Sequence, residues 1–165
     1  MAWVTPTSGS GWPANPTWAW NDNEGDYAAS DEVEPGDNWT DWYTWGHTAL
    51  NCDKVRIWAS HERVGIRFIE IQAYYNGTWN HVYDPVDGDW SPNHFAEYAL
   101  GGIYSVTQMR ARLRNADWEG EPGEEIPDIG YFIEADFGTP EAGQTILDYE
   151  RGTPGANRGV MRGTG

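Results

Sequence analysis

VRIWASHERVGIRFIEIQAYYNGTWNHVYDP, residues 55–85, reads as three consecutive β-strands with their turns written out. Ile69, Ile71, Ala73 and Tyr75 alternate with Glu70, Gln72 and Tyr74, the period of two that gives a strand two unlike faces. Asn76-Gly77 follows, a favoured pair for a two-residue type I′ turn, because both residues must take positive φ and the turn's twist then matches the strands it joins. That turn sets Tyr75 opposite Thr78 and Tyr74 opposite Trp79. Upstream, Val55, Ile57 and Ala59 alternate with Lys54, Arg56 and Trp58, and a polar, Gly-containing link at 61–65 separates this strand from the hairpin.

Working outward, 165 residues suit one domain large enough to bury a core without staples. Hydrophobic content is a modest 39%, but eleven Trp and nine Tyr supply burial area in place of aliphatic side chains. A single cysteine, Cys52, excludes an internal disulfide and a multi-cysteine metal site, and its place before a strand suits a small buried hydrophobe better than a nucleophile. The net charge of −16, from 26 acidic against 10 basic residues, repels phosphate backbones and anionic lipid, so neither nucleic acid nor membrane is an expected partner. No apolar run reaches the roughly 20 residues that a membrane helix needs, and residues 1–12 lack the basic start and apolar stretch of a Sec signal peptide.

Residues 1–50 hold seven of the eleven Trp among turn signals at 11–13, 15–16, 21–25 and 35–36, and read as loop-rich. After the three-strand unit come a loop at 84–93, a short segment at 95–100, and a strand at 104–114 where Met109, Ala111 and Leu113 alternate with Arg110, Arg112 and Arg114. An acidic loop at 117–128 precedes a closing strand at 131–137, in which Ile133, Ala135 and Phe137 alternate with Phe132, Glu134 and Asp136. Five or more strands at short spacing, without helical periodicity, predict an all-β antiparallel β-sandwich of jelly-roll type, with long aromatic-rich N-terminal loops and an extended C-terminal tail. The tail carries Arg151, Arg158 and Arg162 with no acid between 151 and 165, a basic segment on an acidic body. Docking on a neighbouring acidic subunit suits it, and folding back over its own domain is the alternative.

The progression CDKVRIWAS, IRFIEIQAYYNGTWNHVYDP, EYALGGIYSVTQMRARLRN and IGYFIEADFG resembles the galactose-binding-like, or discoidin-like, jelly-roll domains over roughly residues 15–138. The resemblance implies a Tyr-Tyr-Asn-Gly-like hairpin and a closing strand containing a Glu, here Glu134. It divides the chain into an arm at 1–14, the sandwich at 15–138 and the Gly-rich basic tail at 139–165. Such domains are mostly non-catalytic, binding glycans, lipids or proteins through loops at one end, and occur on bacterial surface proteins, glycosidases and phage particles. They often hold a structural calcium ion near the opening loop, which points to Asp22, Asn23 and Asp26 joined by Glu134 as oxygen donors, since calcium takes about six to eight oxygens. The plainer reading of residues 21–26 is a solvated Asx turn.

Sugar binding needs an aromatic plate for the apolar face of a pyranose and polar groups for its hydroxyls. Trp39, Trp42 and Trp45, with Trp90 and His94 on another loop, are the candidates, against the reading that these indoles pack a core or an interface. The Arg110, Arg112, Arg114 stripe, with Lys54 and Arg56 on a possible neighbouring strand, suits an anion, or internal neutralisation by Glu70, Glu134 and Asp136. His47, His61, His81 and His94 show no metal-ligand spacing, and no nucleophile elbow or phosphate loop is present, so an enzyme is not expected. The main expectation is a virion component, a phage capsid-decoration or tail protein, or another assembly subunit that forms homo- or hetero-oligomers through its termini. It would stand on a virion or extracellular assembly surface. The alternative is a free-standing carbohydrate-binding or adhesion module.

Overall fold

The computed structural model describes residues 2–36, 38–63, 65–83, 94–116 and 127–141. Eight strands follow in order: β1 (Ala2–Val4), β2 (Ser8–Ser10), β3 (Ala28–Val33), β4 (Tyr43–His61), β5 (Ile66–Tyr75), β6 (Thr78–Tyr83), β7 (His94–Asn115) and β8 (Asp128–Thr139), with a 3-10 turn at Pro16–Trp20. All named pairs are antiparallel.

Two strands are long enough to serve both layers of a sandwich. The first half of β4 pairs with the second half of β7, from Tyr43↔Ala111 to Gly46↔Gln108, and its second half pairs with the first half of β7, from Lys54↔Ala99 to Ala59↔His94. Register breaks at Gly46/Leu50 and Cys52/Lys54 separate the two stretches, and such breaks let a strand bend from one layer to the next. One layer runs β6, β5, β7, β4, β2; the other runs β7, β4, β8, with β1 and β3 on β8. Contacts between the layers define the core: Phe132 of β8 lies 5.0 Å from Tyr43 and 5.3 Å from Trp45 of β4, ring centre to ring centre. Gly130 of β8 sits so close to Leu113 of β7 that a β-carbon there would overlap it.

The hairpin forms in the register that its sequence predicts, Tyr75↔Thr78 and Tyr74↔Trp79, with Asn76 at φ 54° and Gly77 at φ 78°. A β-carbon at Gly77 would meet nothing within 4 Å, so Gly77→Ala isolates the backbone cost of positive φ. We expect a loss of about 1 kcal/mol in urea denaturation; an unchanged midpoint would contradict the turn assignment.

Three expectations are corrected. Residues 43–50 are strand rather than loop, because Tyr43 and Trp45 point into the core in alternation with Trp42 and Thr44. Segments 95–100 and 104–114 form one strand, with Gly101 absorbing a φ of 78° inside it. In β8 the inward phase shifts: Ala59 faces Phe132 while the preceding Trp58 faces Glu134, so β8 bulges by one residue and buries Phe132 as well as Ala135 and Phe137. The N-terminal arm, for its part, pairs with its own domain. β1 pairs with β8 from Ala2↔Thr139 to Val4↔Phe137, and Trp3 covers Lys54 at 5.1 Å and Arg56 at 4.4 Å. Arg151, Arg158 and Arg162 lie outside the described residues, as does Trp90.

Candidate functional site

Because Met109, Ala111 and Leu113 are taken by the core, β7 turns Arg110, Arg112 and Arg114 to the outer face of its layer. Opposite them on β5 stand Gln72, Glu70 and Phe68. Arg112 Nε donates to Glu70 Oε2 at 2.6 Å. Arg110 donates through Nε at 3.0 Å and Nη2 at 2.6 Å to the neutral Gln72 Oε1. Gln72 Nε2 in turn donates to Glu70 Oε1 at 2.8 Å, and His81 Nδ1 lies 3.1 Å from the same oxygen.

Between the guanidiniums stand aromatic rings. Arg110 lies 4.0 Å from the ring centres of both Trp42 and Trp79. Arg112 lies 4.5 Å from Trp42 and 4.8 Å from Trp39, and Arg114 lies 5.2 Å from Trp39 and 4.3 Å from Phe68. The result is one ladder, Trp79, Arg110, Trp42, Arg112, Trp39, Arg114, Phe68, held by cation–π attraction worth about 0.5–2 kcal/mol per contact. The segment carrying Trp39 and Trp42 is tied to β7 by Thr40, whose N–H donates to Leu113 O at 2.9 Å and whose hydroxyl accepts from Leu113 N at 3.0 Å. Burial lowers the pKa of Arg110; the charge of Glu70 raises it and that of Arg112 lowers it. Trp39, Trp42 and Trp79 are half-buried, so each indole is fixed by the ladder yet keeps part of its surface in solvent.

Of the expected sugar-binding residues, Trp39 and Trp42 meet on this face. Trp45 does not: it is fully buried and donates from Nε1 to Ala19 O at 3.1 Å. His94 is exposed but starts β7, at the opposite end of the strand from Arg110. Trp79 was hidden to sequence reading, since only the pairing of β5 with β7 brings it to Arg110. Lys54 and Arg56 belong to the other layer, where Arg56 Nε donates to Asp136 Oδ2 at 2.8 Å and Lys54 Nζ to Glu97 Oε2 at 2.8 Å. The two basic groups do not merge into one anion site.

The expected calcium donors divide. Asp26 Oδ2 accepts from Asn21 Nδ2 at 2.9 Å and from Asn23 Nδ2 at 2.8 Å, and Asn23 Oδ1 accepts from Gly25 N at 3.1 Å. Asn23 and Asp26 thus spend their side chains on an Asx-turned loop. Glu134 is different. It is buried, its Oε2 has no hydrogen-bond partner, and burial together with the charges of Asp136 and Asp22 pushes its carboxyl up to about 7, against the hydrogen bonds of the Ala135 and Asp22 backbone. Asp136 is raised as well, by burial, with Arg56 pulling it back. Asp136 is already paired with Arg56, and among the described residues no three His, Cys, Asp or Glu side chains are grouped to hold a metal. Cys52 is buried, which pushes its thiol up to about 12 and suits a packing role.

The fold has known counterparts. CpGH89CBM32-4 from Clostridium perfringens, solved with glcNAc-alpha-1,4-galactose, superposes with a TM-score of 0.55 at 12% identity, covering 82% of this chain and 94% of that one. The family 32 carbohydrate-binding module of C. perfringens NanJ, solved with galactose, gives 0.52 at 14% identity, covering 81% and 90%. The chain shares the antiparallel β-sandwich fold of these modules. The sandwich also matches a mutant GH29 fucosidase of Ruminococcus gnavus, in complex with fucose, with a TM-score of 0.50 at 13% identity over 73% of this chain. It spans about a fifth of that fucosidase chain, 21%. No sequence-family model matches the chain, and comparison with curated protein sequences finds no match.

Proposed function

We propose that this chain is a non-catalytic glycan-binding module whose binding face is the ladder on β7, with Trp39, Trp42 and Trp79 as plates for sugar rings. The observation that carries the reading is that three half-buried indoles are immobilised on an outer sheet face beside the exposed ring of His81, which supplies a polar group for hydroxyls. Similarity to modules solved with galactose and with glcNAc-alpha-1,4-galactose supports the same class of partner. The virion or assembly reading rests on a tail outside the described residues and on an N-terminal arm that pairs within its own sheet, so the glycan reading takes precedence. An extracellular setting belongs to the same proposal.

Glycan-array screening followed by calorimetry tests it. Trp42→Ala should weaken binding by about thirtyfold, roughly 2 kcal/mol, with the β-sheet circular dichroism retained. Full affinity in a folded Trp42→Ala variant would reject this face as the site.

A further inference from the structure

We propose that the ladder face selects acidic saccharides, receiving a uronate carboxylate or a sugar sulfate at Arg110; the inference rests on the glycan-binding reading above.

The argument starts from charge. On a chain of net charge −16, most of the surface repels an acidic polymer. Arg110, Arg112 and Arg114 stand together on one outer face, and the carboxylate opposite them, Glu70, is spent on Arg112, Gln72 Nε2 and His81. Arg110 is satisfied differently from Arg112. Its Nε and Nη2 both donate to one amide oxygen, that of Gln72, and its Nη1 donates to no described residue. Trp42 and Trp79 each hold a ring centre 4.0 Å from its guanidinium carbon, and an anion pairing with Arg110 beside these rings would meet the guanidinium edge. That edge carries in-plane N–H donors whose spacing matches the paired oxygens of a carboxylate or sulfate. The flanking indoles would hold the sugar ring that bears the anion. Burial and the like charge of Arg112 both disfavour the Arg110 cation in the free protein, and a bound anion would relieve both.

Affinity electrophoresis and calorimetry against polygalacturonate, dextran sulfate, neutral galactan and neutral dextran test the proposal, with wild type, Arg110→Gln and Arg110→Lys. We expect the acidic polymers to bind about tenfold tighter than their neutral counterparts at low salt, with the advantage shrinking as ionic strength rises. Comparing polygalacturonate with dextran sulfate separates uronate from sulfate. Arg110→Gln should bring the affinity for acidic polymers down to that for their neutral counterparts, and Arg110→Lys, which keeps the charge without the flat fork, should retain part of the advantage. Should Arg110→Gln fail to fold, the lysine variant and the salt dependence carry the test. Equal affinity for acidic and neutral polymers would overturn the acidic preference and leave the glycan reading standing. An advantage that persists in Arg110→Gln would overturn the assignment to Arg110. Absence of binding to every glycan would overturn both.

Discussion

Replacing Asp128 by alanine is expected to lower stability by about 4 kcal/mol, a fall of roughly 10 °C in melting temperature. Asp128 is 1% exposed at the first position of β8. Its Oδ1 accepts from the backbone N–H of Arg63 at 2.7 Å and of Ile129 at 2.8 Å, and its Oδ2 from those of Gly65 at 2.9 Å and Ile66 at 3.0 Å. His61 Nδ1 lies 3.3 Å from Oδ2. One carboxylate therefore satisfies four backbone donors and ties the link between β4 and β5 to the start of β8. Alanine leaves these donors without that acceptor, and each buried, unpaired N–H costs about 1–3 kcal/mol before water or relaxation offsets it. Asp128→Asn should fall between wild type and alanine, because an amide replaces one acceptor with a donor that faces N–H groups. Urea denaturation with both variants measures this. A loss below about 1 kcal/mol for alanine would mean that water replaces the carboxylate at little cost.

Glu134 carries the second large effect, and its sign is opposite. In the unfolded chain its carboxyl titrates near the ordinary 4.5, whereas in the fold it titrates at about 7. Between these values the folded state holds a proton that the unfolded state has released, so stability falls as pH rises from 4.5 towards 7 and then levels off. At about 1.4 kcal/mol for each pH unit of separation, the loss amounts to about 3 kcal/mol. Glu134→Gln, which cannot ionise, should match wild type at about pH 4 and exceed it by about 3 kcal/mol at about pH 8, in chelator. Coincident stability profiles for the two proteins would show that Glu134 ionises in the fold as it does in the unfolded chain. The same pair reports on calcium. A rise in wild-type melting temperature in millimolar calcium, absent from Glu134→Gln, would assign a cation to Glu134, and no rise would leave Glu134 a proton-holding acid.

Much of this protein's scaffold is legible in its residues, and much of its site is not. The alternation of Ile69, Ile71 and Ala73 and the Asn76-Gly77 turn are local signals, and each appears in the fold in its predicted register. The Arg110, Arg112, Arg114 stripe is equally visible as an outward face, and its neutralisation by Glu70 is realised at Arg112. Glu134 does not serve as a partner for the stripe, because β8 lies in the other layer. Asp128 reads as the last residue of a solvated acidic loop, since nothing in a stretch of Glu and Asp distinguishes a buried acceptor from the other carboxylates. Phe132 reads as outward because a single-residue bulge inverts the phase of everything beyond it, and a bulge has no reliable signature in the strand that carries it.

By itself, then, the sequence determined the period-two strands, the hairpin register and the all-β class, because turn chemistry and side-chain alternation act between residues a few positions apart. Only the tertiary structure decided that β4 and β7 cross both layers, that Trp3 and β1 close on their own domain, and that Trp39, Trp42 and Trp79 interleave with three arginines. These contacts join residues far apart in the chain. They depend on where long strands break register and which edges meet, and no local propensity encodes that.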